Sequence, residues 1–236
     1  MTTTIAPVTA PAPAQENDIT ATGTIAVLPP CLLWAASLAA SSDTNKGVLC
    51  SIDVRRTEDG NIRITSTDGH RLFRVVIPRS EQFFIAADQV APFRLNPKAF
   101  SKAPTKKAVT VSIEASGLAQ FHDTLGRPVD AGAWQAVTEA NAVGQDFPRV
   151  DQLIPADDQL TCDPGKPVAF NPRYVGDFCK VAEKLSGNCV IQFLTAKSAN
   201  SPCIIRAELD GAMLLIEKDP PIVVMDYLIV PVQIRH

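Results

Sequence analysis

Ser66-Thr67-Asp68-Gly69-His70-Arg71-Leu72 is the stretch on which the reading of this chain turns. Upstream of it, Leu49 to Arg55 and Ile62 to Ser66 alternate apolar and polar residues on either side of Glu58-Asp59-Gly60-Asn61, the pattern of two half-buried strands joined by a turn. Downstream, Leu72 to Ile77 supplies a further strand. The Asp-Gly pair inside the stretch is turn chemistry, because glycine takes up positive φ freely and aspartate accepts hydrogen bonds from the backbone just beyond it. Further upstream, Thr24 to Leu28 reads as a short strand, and Pro29-Pro30 opens a helix from Cys31 to about Ala40, since proline is tolerated in a first helical turn. The unit is a strand, a helix, then a run of strands.

The same order of elements returns twice. Pro92 to Leu95 leads through Asn96-Pro97 into a short helix near Lys98 to Lys102, then strands at Val109 to Glu114, Leu118 to Asp123 and Trp134 to Thr138. Pro104 limits that helix because it lacks the amide proton an extension would need. The third copy runs from Pro167 to Phe170 through Asn171-Pro172 to a helix of about Arg173 to Leu185, where Tyr174, Phe178, Val181 and Leu185 recur at helical spacing. Strands at Cys189 to Leu194, Cys203 to Leu209 and Tyr227 to Ile234 complete it. Residues 1–22, rich in Thr, Ala and Pro, cannot bury enough surface to offset their ordering entropy and read as a flexible tail. The fold class is α+β.

At 236 residues, 46% of them hydrophobic, with a mean hydropathy of +0.08, the chain can bury one large or two modest cores. A formal charge of −3 excludes a uniformly basic nucleic-acid binder, so any DNA contact must come from a local basic face. Six cysteines, Cys31, Cys50, Cys162, Cys179, Cys189 and Cys203, fall mostly in apolar runs without a C-x-x-C pair, which points to small buried hydrophobes in a reducing compartment. Met1 to Ala14 has neither Lys nor Arg and no long apolar run, so no secretory signal is read there. No window has the length of apolar sequence a membrane helix needs, and a cytoplasmic location is expected. Ser66, Thr67 and the cysteines give no nucleophile-elbow or zinc signature, and the glycines are too scattered for a phosphate loop. His70 with Asp68 could be drawn as an acid–base pair, but the turn explains Asp68 and no nucleophile completes the set. No catalytic residue, metal site or cofactor is expected.

In wording and order the quoted stretch, Phe147-Pro148-Arg149-Val150-Asp151-Gln152-Leu153-Ile154-Pro155 and Tyr227-Leu228-Ile229-Val230-Pro231-Val232 resemble the bacterial sliding clamp, the beta subunit of DNA polymerase III, over roughly the last nine-tenths of the chain. The resemblance implies half-domains paired into domains, with antiparallel sheets outside and helices inside, facing a ring channel. Residues 23–155 are similar to the family's complete middle domain of two half-domains, and residues 156–236 to the second half of its last domain. The family's first domain and the first half of its third have no counterpart. The resemblance further implies a pocket between middle and last domains that docks short hydrophobic motifs of DNA polymerases and other replication or repair proteins. Thr67, Gly69, His70, Arg71 and Leu72 match the pocket's central loop, and Cys50 stands where an aliphatic residue is usual. Pro148 and Leu153 match the inter-domain segment, Asn171 and Tyr174 the bordering helix, Pro202 the rim, and Val230, Pro231 and Val232 the terminal strand. Gln152 and Gln233 replace basic residues often seen in these segments, so specificity is expected to differ.

Such a pocket would take a ligand's Leu, Phe or Met side chains out of water against Leu72, Leu153, Val230 and Val232, at about 25 cal/mol per Å² of apolar surface. His70, Arg71, Asn171 and Tyr174 would form its polar rim. Micromolar affinity, about 8 kcal/mol, is the expectation. Lys98, Lys102, Lys106 and Lys107 form a basic cluster, and Arg173, Lys180 and Lys184 lie on the third unit's helix. Lining a channel, they would track the phosphates of double-stranded DNA without reading sequence. A solvated helix face explains them nearly as well, and Cys31 to Ala40 carries no basic residue. Trp34 is assigned to packing. The odd half-unit is expected to leave a sheet edge and an apolar helix face open, and therefore to pair with another copy as a homo-oligomer. The functions in view are a processivity factor that encircles DNA, a non-ring clamp homologue acting as a peptide-binding module or decoy, and an enzyme built around His70.

Overall fold

The alternating runs become strands and the proline-led runs become helices in a computed structural model that describes residues 23–104, 106–129, 134–137, 146–161, 169–186, 191–196, 202–209 and 223–229. The expected tail at 1–22, the residues Val230, Pro231 and Val232, and Cys162 and Cys189 lie outside the described residues. Strand β1 (Thr24–Leu28) leads into helix α1 (Pro30–Ala39), and after a 3-10 stretch at Thr44–Cys50 come β2 (Ile52–Arg56), β3 (Ile62–Thr67) and β4 (Arg71–Ile77). A short β5 (Phe84–Ile85) precedes the second unit: β6 (Phe93–Leu95), α2 (Pro97–Ser101), β7 (Thr110–Glu114), β8 (Leu118–His122) and β9 (Trp134–Gln135). Asn96 caps α2 by accepting a hydrogen bond from the Lys98 amide. A segment with two 3-10 turns, Val150–Leu153 and Asp157–Gln159, leads to β10 (Leu160–Thr161), then α3 (Pro172–Ser186), β11 (Ile191–Ala196), β12 (Cys203–Leu209) and β13 (Val223–Ile229).

Most boundaries fall within a residue or two of expectation. The last strand begins at Val223 rather than Tyr227. Asp226 disguises the start of that strand in the sequence, but two arginines on neighbouring strands neutralise it, so the apolar run continues through it.

The units do not fold separately. β1 of the first pairs with β7 of the second within a five-stranded antiparallel sheet in the order β5-β1-β7-β8-β9, and β6 of the second pairs with β2 of the first in the other sheet. The other sheet has eight strands, β10-β11-β12-β13-β4-β3-β2-β6, and runs unbroken from the third unit into the first through the antiparallel pair β13–β4. Helix α1 lies against both α2 and α3. Its uncharged sequence suits a helix flanked on several sides, and Leu32, Leu33, Ala35 and Ala36 are all buried. Helix α3 is amphipathic instead: Phe178, Val181, Ala182 and Leu185 enter the core, while Arg173, Cys179, Lys180, Glu183 and Lys184 face out.

Two expectations are corrected here. The third unit's apolar helix face is not bare, because Phe178, Val181 and Leu185 share one core cluster with α1 and with the inward residues of both sheets, and its β13 edge is closed by β4. The cysteines are not uniformly buried: Cys203 is, Cys31 and Cys50 are half-buried, and Cys179 is exposed on the outer face of α3. None of these four is in a disulfide.

Candidate functional site

The turn between β3 and β4 is built by its own side chains. Thr67 Oγ1 donates to the Arg71 carbonyl at 2.6 Å and accepts from the Gly69 amide at 3.1 Å. Asp68 Oδ1 accepts from the amides of His70 and Arg71 at 2.9 and 3.0 Å, its Oδ2 accepts from Arg71 Nε at 3.0 Å, and Lys46 Nζ donates to its carbonyl at 2.8 Å. Gly69 sits at φ 91°, a region costly for other residues. Asp68 is thus consumed by the turn, while the His70 side chain stands exposed beside it.

Arg71 is the centre of the arrangement, and it is not the solvent-facing lip that the resemblance implied. It is 8% exposed. Its Nη1 donates to Asp177 Oδ2 on α3 at 2.7 Å and to the Tyr227 hydroxyl on β13 at 3.1 Å, and its guanidinium lies over the Tyr174 ring, 4.8 Å from the centroid. Burial is the largest single influence on this guanidinium and would lower its pKa, but Tyr227, Asp177 and Asp68 together outweigh it and hold the pKa above the ordinary value. The Tyr227 phenol is pushed well above its ordinary range, chiefly by burial, so it stays a hydrogen-bonding neutral group. Asn171 caps α3 by accepting from the Arg173 amide at 3.0 Å, which sets the helix start from which Tyr174 projects.

The opposite face of the sheet carries an apolar row. Leu72, Leu228, Ile204 and Leu194 are successive register partners across β4, β13, β12 and β11, and with Phe147 and Val150 they form a cluster separate from the main core. Val48, Ile154 and Leu160 pack against it. Leu72, expected as an open pocket wall, is only 3% exposed beneath this cover. Leu153 is 56% exposed, Pro148 is exposed, and Pro202 and Cys50 are half-buried; the Cys50 thiol donates to the Asp43 carbonyl at 2.8 Å. The segment 146–160 therefore lies as a strap across the outside of the β4–β13 joint.

A charged row runs beside the apolar one. Arg94, Asp53, Thr65, Arg74, Asp226 and Arg206 are register partners across β6, β2, β3, β4, β13 and β12. Asp226, 2% exposed, accepts from Arg74 at 2.7 Å and Arg206 at 2.8 Å. The strap adds its own carboxylates: Asp151 takes Arg63 at 2.6 Å, and Asp157 takes Arg206 at 2.9 Å. Sequence reasoning missed Asp151, Asp157, Asp177, Asp226 and Tyr227, because isolated acidic residues and a strand tyrosine carry no local pattern.

All seven candidate DNA-contact residues, Lys98, Lys102, Lys106, Lys107, Arg173, Lys180 and Lys184, are exposed. Lys184 Nζ lies 3.6 Å from the centroid of the half-buried Trp34 ring on α1. Its pKa is lowered, mainly by partial burial against that ring, with Cys31 opposing and Lys106 adding to the shift. Lys180 instead approaches Asp177 at 3.7 Å. Among the described residues no set of three His, Cys, Asp or Glu side chains is placed to hold a metal ion, and no helix is long and apolar enough to cross a membrane.

No protein-family model and no curated protein sequence matches the chain. Solved structures do. The DNA polymerase sliding clamp of Bacillus subtilis superposes with a TM-score of 0.54 at 16% identity, covering 95% of this chain and 67% of that one. A DNA polymerase III beta sliding clamp from Bartonella birtlesii, bound to griselimycin, gives 0.56 at 16% identity over 97% and 68% of the two chains. The Caulobacter crescentus polymerase III beta protein gives 0.56 at 17% identity over 94% and 69%. Antiparallel sheets backed by a layer of helices, repeated in half-domain units, are thus the bacterial sliding-clamp fold, present here over about two-thirds of those clamps' length.

Proposed function

We propose that this chain is a non-enzymatic clamp-type replication or repair protein that docks short hydrophobic segments of a DNA polymerase or other partner at the β4–β13 joint. The supporting observation is the divergence of two adjacent residues: Arg71 reaches Tyr174 and Asp177 on α3, while Leu72 enters the apolar cluster with Phe147 and Val150. Helix α3 and the strap, both far from the turn in sequence, thereby reach adjacent residues of β4 from opposite faces of the sheet, which supports the reading. Among the described residues of the strap Leu153 is a large exposed apolar group, and in this proposal Pro148, His70, Asn171, Tyr174 and Pro202 form a mixed border. Because Leu72 is already covered, a ligand gains little from it directly and anchors first on Leu153, which keeps affinity in the micromolar range.

Titration of a labelled short peptide bearing Leu and Phe anchors tests this. Saturable binding that Leu153→Asp abolishes is expected; binding that Leu153→Asp leaves intact, or none at high micromolar peptide, overturns it. Encircling double-stranded DNA is the extended form of the proposal and requires several copies of the chain. The non-ring module or decoy is favoured by α1, which occupies the middle of the helix layer without one basic residue. Retention on closed circular DNA, with release on linearisation, would select the ring.

A further inference from the structure

We infer that Asp177 is a positioning residue for the docking site, a role that rests on the docking proposal and adds a residue to it. Tyr174 and Asp177 are three residues apart on α3 and so share one face of the helix. Arg71 spans both, with its guanidinium over the Tyr174 ring at 4.8 Å and its Nη1 on Asp177 Oδ2 at 2.7 Å. The other carboxylate bound to Arg71, Asp68, belongs to the same turn as Arg71 and cannot tie that turn to anything else. Asp177 is therefore the charged link between the Asp68–His70 turn and the helix that carries Tyr174.

The surroundings make this link hard to replace. Tyr227, which shares Arg71 Nη1, packs against the fully buried Phe178 with ring centroids 5.2 Å apart, so the hydroxyl that Arg71 reaches belongs to a ring held in the core. Lys180 meets the other oxygen of Asp177 at 3.7 Å but is largely exposed, and solvent screens that pair. Without the Asp177 charge, the buried guanidinium keeps only the Tyr227 hydroxyl and the Tyr174 ring across the joint. The spacing between the turn and Tyr174 is then no longer held, and a ligand must supply that order itself on binding.

Asp177→Asn keeps the side-chain shape and removes the charge. Affinity for the labelled Leu- and Phe-bearing peptide is expected to fall about tenfold, with the melting temperature and far-ultraviolet spectrum serving as folding controls. The decisive measurement is a double-mutant cycle. In a Tyr174→Ala background, Asp177→Asn is expected to cost less than about twofold, because the group it positions is gone. Equal losses in both backgrounds, or unchanged binding by Asp177→Asn, would show that Asp177 is merely structural. A wild-type chain that fails to bind the peptide removes the docking reading, and this role with it. Should Asp177→Asn not fold, Tyr227→Phe withdraws one acceptor from the same guanidinium; its expected loss of about threefold must likewise vanish beside Tyr174→Ala, and a persistent loss overturns the inference.

Discussion

The first unit meets the second and the third in different ways. Towards the second it exchanges strands, β1 against β7 and β6 against β2, and the contact is filled by side chains such as Leu28, Val111, Ile113 and Phe121. Towards the third it adds a single strand pair, β4 against β13, where the packing of Leu72 on Leu228 and of α3 on α1 is joined by polar ties on both faces: Arg71 with Asp177 and Tyr227 inside, Arg74 with Asp226 outside. Apolar filling is indifferent to small rotations, whereas hydrogen-bonded ion pairs hold only at one register and one angle. The second joint is thus the one where geometry is specified, and it is where the candidate site lies.

Four perturbations sharpen or break this contrast. The largest effect is expected at the first joint, where Phe121→Ala removes a ring stacked edge-on against Phe100 and Trp134 and should cost roughly 3–5 kcal/mol in denaturant unfolding, whatever the salt. Next comes Asp226→Ala, which strands Arg74 and Arg206 side by side beneath the strap. A loss of roughly 3 kcal/mol is expected, partly recovered in high salt as the freed arginines are screened, and a salt-independent loss would argue that Asp226 acts only by packing. Asp151→Asn should cost under about 1 kcal/mol in dilute buffer and nothing at high salt, because Asp151 is half-exposed; a larger, salt-resistant loss would make the strap part of the core.

The smallest effect concerns Cys203, whose register partner Ile229 is also the partner of Arg71. Burial pushes its thiol from 9.0 up to about 11. The folded chain therefore holds this proton more tightly than the unfolded one. The resulting stability is intact below pH 9 and declines as the pH climbs towards 11. Unfolding midpoints measured across that interval should fall slightly more for wild type than for Cys203→Ala; parallel slopes would mean the thiol titrates as in water.

The local elements were legible because their causes are local. Phe178, Val181 and Leu185 stand at helical spacing and are the residues α3 buries; the Cys203–Leu209 strand was read with its observed ends; Thr67-Asp68-Gly69 announced a turn that its own side chains then build. The pairing of units was not legible, since nothing in Thr24–Leu28 distinguishes β7 from β2 as its neighbour. The candidate site divides in the same way. Its turn and helix start were found by wording shared with a known family, but Arg71 was placed at a rim when it is a buried tie. Its partner Asp177 lies 106 residues away, and charge pairs at that distance leave no periodic trace. Leu72 was read as an open wall because the inter-domain segment was matched only at Pro148 and Leu153, and its Phe147 and Val150, which cover Leu72, carry no mark of that in the sequence.

The β4–β13 pair has a consequence for biosynthesis. Residues 71–75 are made long before their partners at 225–229, so a nascent chain leaves the ribosome with β4 paired to β3 on one edge and its other edge of amides and carbonyls unsatisfied. β13, made much later, closes it, and the β13 of a neighbouring polypeptide fits that edge equally well. Reciprocal swapping of β13 between two copies is therefore the misassembly this topology favours, and slow dilution during refolding is the condition that suppresses it.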